Sequence, residues 1–600
     1  MKHLCMSLLV ILLVTAGSTP ARAAPDDETP KQKADRTPAE TPKKEDKVEE
    51  PEKKPSGPVD ADKLKQQLLA TAAAGKLTDD LIDLFKTYAL ARAKQKLAKD
   101  VPADFWTWVE AKPTIREGLL VALHPEYSPH VVKSLEALRE KFGEKVDTHP
   151  HLALAFAVVF GRAGDASPWA AALGYLRKDR KAPTMEQSFR YYLKYEKSMK
   201  FSLTQTPWPL LAYVADNETP LPERLWVLNT FRRAGKGVYY KVPYDWDLLK
   251  GNPDIGNRPR TLANIRKYGG VCVDRAYFAS RVYKSLGVPS MSVSGAGRRG
   301  GHAWVAWVIP GEKSYELYDE GRFDMDRYYT GTTWDPLSRK NVLDRDVQLL
   351  SAALSTSYKR YLNACIGCHV YEMLEGDKRK GKTGLLKDSV EMNPFVARPW
   401  RLLADACVEG IATKEEGEKL FDSIFKALAP YPDLTFEVLA KVLSPRLQVE
   451  GEPDKEEIDS NSRVLNRAFQ LYEKAKRPDL AVKLCLLQGS YFEAVDRKMS
   501  ALKLYATASE KYAREHYGFR EVFDRVLVML SGQKNLKRRL AFCEVMIKEV
   551  PKQRSAFDKK LNQLNPSYVY VVRAYIRALY AAGKDSLAER WEKKIEPKDR

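Results

Sequence analysis

The sequence has few cysteines, few histidines and no long apolar run beyond its first residues. Its 600 residues include seven cysteines and eight histidines. Cysteines this sparse, most of them in helical patterns, do not predict a dense disulfide framework. A transmembrane helix needs about 20 consecutive apolar residues, and the apolar run at 4–16 falls short of that length. We therefore expect no transmembrane span.

The chain is strongly basic but lacks the pattern of a nucleic-acid-binding protein. Lysine and arginine together number 99 and aspartate and glutamate 79, which gives a formal net charge of +20. Such a charge favours acidic partners such as anionic polymers or lipid headgroups, although charge runs most often form a solvated surface. Because no basic stretch is interleaved with aromatic residues, we expect no nucleic-acid partner.

The first residues have the three parts of a secretory signal peptide. Lys2 and His3 form the charged start, the apolar run follows, and "ARA" at 21–23 is a small-residue cleavage site. Residues 1–23 are therefore predicted to be a signal peptide, and the protein to be periplasmic or secreted in a bacterium. Residues 24–60 are rich in lysine, glutamate and proline. They cannot bury enough apolar surface to offset their ordering entropy, so we predict a disordered linker.

Two long regions have the periodicity of helices. In residues 61–233 and 344–600, apolar residues recur at three- and four-residue steps. The spacing in "NPFVARPWRLLADA" resembles a degenerate tetratricopeptide repeat. We predict an N-terminal helical domain and a C-terminal helical-repeat domain. Because such repeats commonly bind proteins or peptides, other envelope proteins are the expected partners.

Residues 234–343, between these regions, change in character. The segments "SMSVSG", "HAWVAWVI" and "SYELYDEG" have the alternation and composition of strands. The periodic segment 274–286 precedes them and is predicted to be a helix that Gly287 and Pro289 end. The predicted fold class is therefore mainly α with one α+β domain, in which a helix packs on an antiparallel sheet.

Cys272 follows two glycines at the start of this helix. A helix N-terminus favours a thiolate through its free backbone N–H groups and its dipole. His302 opens the second predicted strand and is suited to take and return a proton. Asp319 lies on the next strand, where a hairpin would bring it beside the histidine to fix its ring. A buried cysteine before a helix is also commonly a packing residue, but the three residues in this order indicate a thiol site.

The segment "GGVCVDRAYFASRVYKSLGVPSMSVSG", with "GHAWVAWV" and "YELYDEG", resembles the core of the transglutaminase-like superfamily, which has a papain-like fold. The resemblance implies that Cys272 is the nucleophile, His302 the base and Asp319 the orienting carboxylate. It also implies attack on a carboxamide or peptide carbonyl through a thioester, whose acyl group passes to an amine or to water. The family's aspartate is usually followed by proline, whereas Glu320 follows here. Asp335 has the expected proline after it and is the alternative third residue.

The oxyanion of such a reaction needs donors near the sulfur. The backbone N–H of Cys272 is one, and Trp246 or Tyr240 is the candidate for the second. Many members of the superfamily bind proteins without catalysis, so a complete set of residues does not establish turnover.

A second motif competes with this interpretation. The segment "ACIGCH" has the Cys-x-x-Cys-His order that attaches c-type haem in exported proteins, with Cys365 and Cys368 as the attachment residues and His369 as the axial ligand. The surrounding residues fit one amphipathic helix, which favours a buried helix instead. A labile disulfide or a metal site is a further alternative.

Three functions therefore stand open. The leading hypothesis is an exported transglutaminase-like thiol enzyme that acts on protein or peptide amides without a cofactor. The second is a non-enzymatic envelope scaffold that binds peptides, and the third is a c-type haem protein.

Overall fold

The structure is a computed structural model that describes residues 60–123, 129–161, 181–248, 254–297, 300–310, 314–322, 331–447, 455–515, 518–553 and 564–595. The predicted signal peptide and all but the last residue of the predicted linker lie outside these ranges. Asp60 caps the first helix, since its carboxylate accepts a hydrogen bond from the backbone N–H of Asp62 at 3.0 Å. Within the ranges described, none of the helices is both long and apolar enough to cross a membrane.

The N-terminal part of the chain is helical because its apolar residues have the helical period and polar side chains cap helix starts. Thr78 accepts a hydrogen bond from the backbone N–H of Leu81, and Thr184 accepts one from that of Gln187. The helices are α1 (Ala61–Ala72), α2 (Asp79–Leu97), α3 (Ala103–Glu110), α4 (Pro113–Leu123), α5 (Pro129–Phe142), α6 (Glu144–Thr148), α7 (Pro150–Phe160), α8 (Met185–Lys194), α9 (Trp208–Ala215) and α10 (Leu221–Phe231).

A five-stranded antiparallel sheet follows, in the order β3-β2-β1-β4-β5. The predicted helix and the three predicted strands are all present. Strands β4 and β5, which are only five and four residues long, were not predicted from the sequence. The elements of this part are α11 (Leu262–Tyr268), α12 (Cys272–Ser285), β1 (Ser290–Gly297), β2 (Gly300–Pro310), β3 (Tyr315–Glu320), β4 (Gly331–Asp335), β5 (Lys340–Leu343) and α13 (Asp344–Thr356).

Strand β2, which lies between β3 and β1, has two different faces because side chains alternate along a strand. Ala303 and Val305 pack in the same core as α12, whereas Trp304 packs on the other face, together with α13. The sheet therefore lies between α12 and α13. Strand β3 pairs with β2 only from Val305 onward, so His302 and Ala303 lie on β2 beyond the end of β3.

The C-terminal part of the described chain is again helical, and most consecutive helices pack against each other. The prediction of a mainly helical chain with one small antiparallel sheet is thus confirmed. The helices are α14 (Tyr358–Met373), α15 (Gly384–Met392), α16 (Ala397–Val408), α17 (Lys414–Ala427), α18 (Pro432–Leu447), α19 (Lys455–Lys474), α20 (Pro478–Ala494), α21 (Lys498–Lys511), α22 (Phe519–Met529), α23 (Leu536–Glu549), α24 (Pro566–Ala581) and α25 (Asp585–Ile595).

The N-terminal helices divide between two cores. Helix α1 and the first half of α2 pack with the C-terminal helices, so that Leu81 and Phe85 share a core with Trp400. The backbone N–H of Leu77 also donates to the carboxylate of Asp388 in α15 at 2.8 Å. Helices α7 to α10, by contrast, share a core with α12 and the sheet. The helices that follow the sheet therefore pack against the first helices of the chain.

A buried carboxylate ties α12, the sheet and the segment before α11 together. Glu320, at the end of β3, accepts hydrogen bonds from the backbone N–H groups of Gly237 at 2.9 Å and Tyr239 at 3.2 Å. It also accepts from the hydroxyl of Tyr283 at 2.6 Å and from the indole N–H of Trp307 at 3.1 Å. Four donors offset the cost of burying the carboxylate.

We predict that Glu320→Ala lowers the stability of this region by about 3 kcal/mol or more, because four buried donors lose their acceptor. Urea denaturation followed by circular dichroism measures the change. Glu316→Ala, at an exposed position of the same strand, is the matched control and should change stability by less than about 0.5 kcal/mol. Equal losses for the two variants would contradict the role of Glu320.

Candidate active site

Two glycines shape the chain just before α12. Gly269 has a φ of 83°, a left-handed conformation that favours glycine. A Cβ on Gly269 would lie 2.8 Å from the carbonyl oxygen of Pro243, and one on Gly270 would lie 2.4 Å from the Cβ of Asp274. The backbone N–H of Gly270 donates to the Pro243 carbonyl at 3.1 Å. The bare glycines thus let the segment 243–245 lie directly beside the start of α12.

A buried carboxylate fixes the first turn of α12. One oxygen of Asp274 accepts from the backbone N–H of Val271 at 2.9 Å, and the other accepts from Nη1 of Arg260 at 2.6 Å. This cap satisfies a backbone donor that the helix itself leaves free. It therefore holds Cys272 at the first position of the helix.

The thiol of Cys272 is half-buried and hydrogen-bonds to the backbone of Ala303 and Val273. Burial raises the pKa of the Cys272 thiol above its usual range, and these backbone N–H groups offset only part of the effect. The thiol is therefore protonated at neutral pH. The contact with Ala303 brings the sulfur to the residue that follows His302 on β2.

The ring of His302 is held by a backbone carbonyl. Its Nε2 lies 2.6 Å from the carbonyl oxygen of Gly321. Because a carbonyl only accepts hydrogen bonds, Nε2 carries the proton and Nδ1 carries the lone pair of the neutral ring. Burial lowers the pKa of His302 to about 4, and the positive charge of Arg275 also lowers it. The imidazole is therefore neutral at neutral pH, with Nδ1 as its basic nitrogen.

The thiol and the imidazole reach the end of β2 from different sides. His302 lies on the same face as Trp304, and the two rings are stacked with their centroids 6.3 Å apart. Cys272 begins α12, which packs on the face that carries Ala303. Both groups lie at the part of β2 that β3 leaves unpaired. The structure thus brings two of the three predicted residues to one strand end, each held by a backbone contact.

Asp319 lies on β3, but its carboxylate has another partner. It is opposite Ala306, a ladder position four residues along β2 from His302. Its Oδ2 accepts from Nη1 of Arg322 at 2.9 Å, and its Oδ1 has no hydrogen-bond partner within the described part of the chain. The imidazole donates to the carbonyl of Gly321. This carbonyl takes the orienting role that was predicted for the Asp319 carboxylate.

The alternative orienting residue, Asp335, lies away from the imidazole. Its carboxylate accepts from the hydroxyl of Tyr213 at 2.9 Å and from two backbone N–H groups of the turn that follows β4. Gly295 of β1 pairs with both His302 and Gly331. Asp335 is therefore two strands away and four residues further along β4, and the structure does not bring it to the ring.

Two tyrosines from the segment before α11 lie near the thiol. Tyr239 is buried and donates its hydroxyl to a carbonyl of β2 at 3.0 Å. Burial raises the pKa of Tyr244 to about 12, and Cys272 adds to the effect, so this hydroxyl stays protonated beside the sulfur. Of the two candidate oxyanion donors, Trp246 packs on Tyr244 with centroids 4.4 Å apart, whereas Tyr240 is 50% exposed. Tyr244, which interacts electrostatically with Cys272, is therefore a further candidate donor.

The Cys-x-x-Cys-His segment lies in the middle of α14 and is buried. Cys365, Cys368 and His369 are 8%, 0% and 1% exposed. The His369 ring stacks on Phe85 of α2 at 5.8 Å, and its Nδ1 lies 3.3 Å from Nη1 of Arg398. Burial raises the pKa of Cys365 to about 11. Haem attachment needs both thiols at an open face, so this packing supports the buried helix, and both thiols are free rather than joined in a disulfide.

Sequence reasoning missed three residues around the thiol and the imidazole, namely Gly321, Tyr239 and Tyr244. Gly321 acts through its backbone carbonyl, which every residue type has, so no residue pattern indicated it. The two tyrosines stand in "YYKVPY" at 239–244, which ends 25 residues before Gly269. That aromatic cluster was the available signal, since the helix start and an upstream segment commonly enclose a thiol site together.

No family model matches the sequence, and no curated protein or solved structure matches it either. A functional assignment therefore depends on the geometry and chemistry of the named residues.

We predict that alkylation of Cys272 by iodoacetamide accelerates continuously from about pH 5 to about pH 10. The raised pKa of the thiol means that thiolate accumulates only at alkaline pH. The neutral imidazole of His302, whose pKa is about 4, does not stabilise thiolate at lower pH. Mass spectrometry of the Cys272 peptide measures the rate, with the half-buried Cys407 as the internal control. A rate plateau between about pH 5 and 8 would reveal a thiolate–imidazolium pair and contradict this expectation.

Proposed function

We propose that the chain is an exported transglutaminase-like thiol enzyme that acts on carboxamides of proteins or peptides. The observation that carries the proposal is the contact between the Cys272 thiol and the backbone of Ala303, the residue next to His302. This contact unites a helix start and a strand end that are far apart in the sequence. A nucleophile and a base at such a junction support acyl transfer through a thioester.

The reaction begins with attack of the Cys272 sulfur on the carbonyl carbon of a carboxamide. As the S–C bond forms, the thiol proton passes to Nδ1 of His302. The C–N bond then breaks, and the leaving nitrogen takes that proton, which leaves a thioester on Cys272. An amine or a water molecule attacks the thioester and gives its proton to Nδ1. The departing sulfur takes that proton back, so the thiol and the neutral imidazole are restored.

The surrounding groups have supporting roles in this scheme. The backbone N–H of Cys272 and the hydroxyl of Tyr244 are the donors for the oxyanion. The carbonyl of Gly321 fixes the tautomer of His302, so that Nδ1 carries the lone pair. The thiol and the ring lie on different faces of β2, so the scheme requires Nδ1 to come within hydrogen-bond distance of the sulfur when substrate binds.

We predict that Cys272→Ala and His302→Ala each abolish activity in a screen that measures amine incorporation and peptide cleavage. Removal of a nucleophile or of its base lowers the rate by about a thousandfold or more. Cys407→Ala, which removes another half-buried cysteine, is the matched control and should retain wild-type activity. Activity that survives Cys272→Ala, or a wild-type protein inactive in both assays, would overturn the proposal.

We further predict that Asp319→Asn retains most of the wild-type activity. The imidazole is oriented by the Gly321 carbonyl, and the Asp319 carboxylate is engaged by Arg322. The loss in kcat should therefore stay below about tenfold, whereas loss of a true orienting carboxylate costs about 10⁴-fold. The same assay measures kcat. A loss of about 10⁴-fold would contradict this prediction and would show that Asp319 orients the imidazole.

A peptide-binding envelope scaffold is the second candidate function. The raised pKa of the Cys272 thiol favours it, because a protonated thiol beside a neutral imidazole has low resting reactivity. In this case a pull-down from envelope extract retains the same partners with Cys272→Ala as with the wild type, and neither protein shows turnover.

A further inference from the structure

Arg275 lies one turn after Cys272 on α12, with its guanidinium set among tyrosines. Its Cζ lies 5.2 Å from the ring centroid of Tyr239, 5.8 Å from that of Tyr240 and 5.6 Å from that of Tyr244. The Nε atom donates to the carbonyl of Val242 at 2.8 Å. These contacts leave the side chain half-buried and fixed in place.

No carboxylate in the described ranges forms an ion pair with Arg275, although nearby cations have one. On the same helix, Arg281 pairs with Glu218 at 3.2 Å, and Lys284 pairs with Asp216 at 2.8 Å. Buried or half-buried cations are normally paired because their desolvation is costly. Arg275 uses Nε alone, and within those same ranges its two terminal nitrogens make no hydrogen bond.

The unpaired guanidinium is close to the reacting groups. Tyr239 and Tyr244 interact electrostatically with both Arg275 and Cys272. The charge of Arg275 also acts on the ring of His302. A fixed guanidinium that keeps the edge formed by its two terminal nitrogens free is suited to bind a carboxylate through two parallel hydrogen bonds.

We propose that Arg275 binds a carboxylate of the substrate, so that the preferred acyl donor carries a carboxylate beside the reacting carboxamide. This inference rests on the proposed function, because it names the substrate class of the same site. An acidic side chain or a free chain terminus next to the carboxamide supplies such a group. Arg275 is thus a specificity-determining residue, and the carboxylate orients the carbonyl toward Cys272.

The test compares alkylation of Cys272 by iodoacetate, which carries a carboxylate, with alkylation by the neutral iodoacetamide in the full chain. Both reagents form the same S–C bond and expel iodide, so the ratio of their rates cancels changes in thiol pKa. We expect Arg275→Gln to lower the ratio of iodoacetate to iodoacetamide rates about three- to tenfold. Added salt should lower the wild-type ratio as well. Arg275→Lys keeps the charge, so its rate ratio should lie between those of the wild type and Arg275→Gln.

Arg266→Gln is the matched control, because it removes an exposed arginine of α11 that also lies over an aromatic ring. Its rate ratio should equal that of the wild type. If both reagents modify Cys272 and Arg275→Gln leaves the ratio unchanged, this inference fails while the proposed function stands. If neither reagent modifies Cys272, both this inference and the proposed function fail.

A second experiment uses a glutamine peptide as the acyl donor. Replacement of a neighbouring glutamate by glutamine should raise KM for the wild type but not for Arg275→Gln.

Discussion

The candidate active site depends on one buried carboxylate, that of Glu320. Burial of a carboxylate costs hydration free energy that only well-placed donors offset, and four donors from three pieces of chain surround this one. Those pieces are α12, strand β2 and the segment that carries Tyr239. Since all three must meet at Glu320, the hydroxyl of Tyr239 has a fixed position against Ala303. The backbone of Ala303 also contacts the thiol of Cys272.

Backbone groups, rather than charged side chains, position the thiol and the imidazole. Cys272 hydrogen-bonds to backbone N–H groups, and His302 donates to a backbone carbonyl. A carbonyl orients a ring without the strong stabilisation of the imidazolium that an ionised carboxylate provides. Both groups are therefore neutral at rest, and in the proposed reaction the proton moves as the sulfur attacks. This arrangement lowers the reactivity of the free thiol.

The sequence predicted those parts of the site that local patterns encode. Glycines before a periodic helix indicated the position of Cys272, and an alternating strand indicated that of His302. The orienting carbonyl of Gly321 was not predictable, because backbone groups are the same in every residue. The role of Glu320 was not predictable either, since its four donors come from segments distant in the sequence. The contact of Leu77 with α15 also joins residues far apart, and no local pattern encodes such a contact.

In the proposed reaction, a substrate carboxylate bound at Arg275 would link substrate recognition to the strength of the base. The guanidinium charge lowers the pKa of His302 in the free protein. A substrate carboxylate on that guanidinium neutralises the charge, so the imidazolium becomes less unfavourable and Nδ1 becomes a stronger base. The thiol proton of Cys272 then moves more readily to the ring at the moment when a carboxamide is in place. Under this proposal, the neutral resting state of the site and the absence of an ion pair on Arg275 within the described residues belong together, because the substrate supplies the negative charge that Asp319 does not place beside the imidazole.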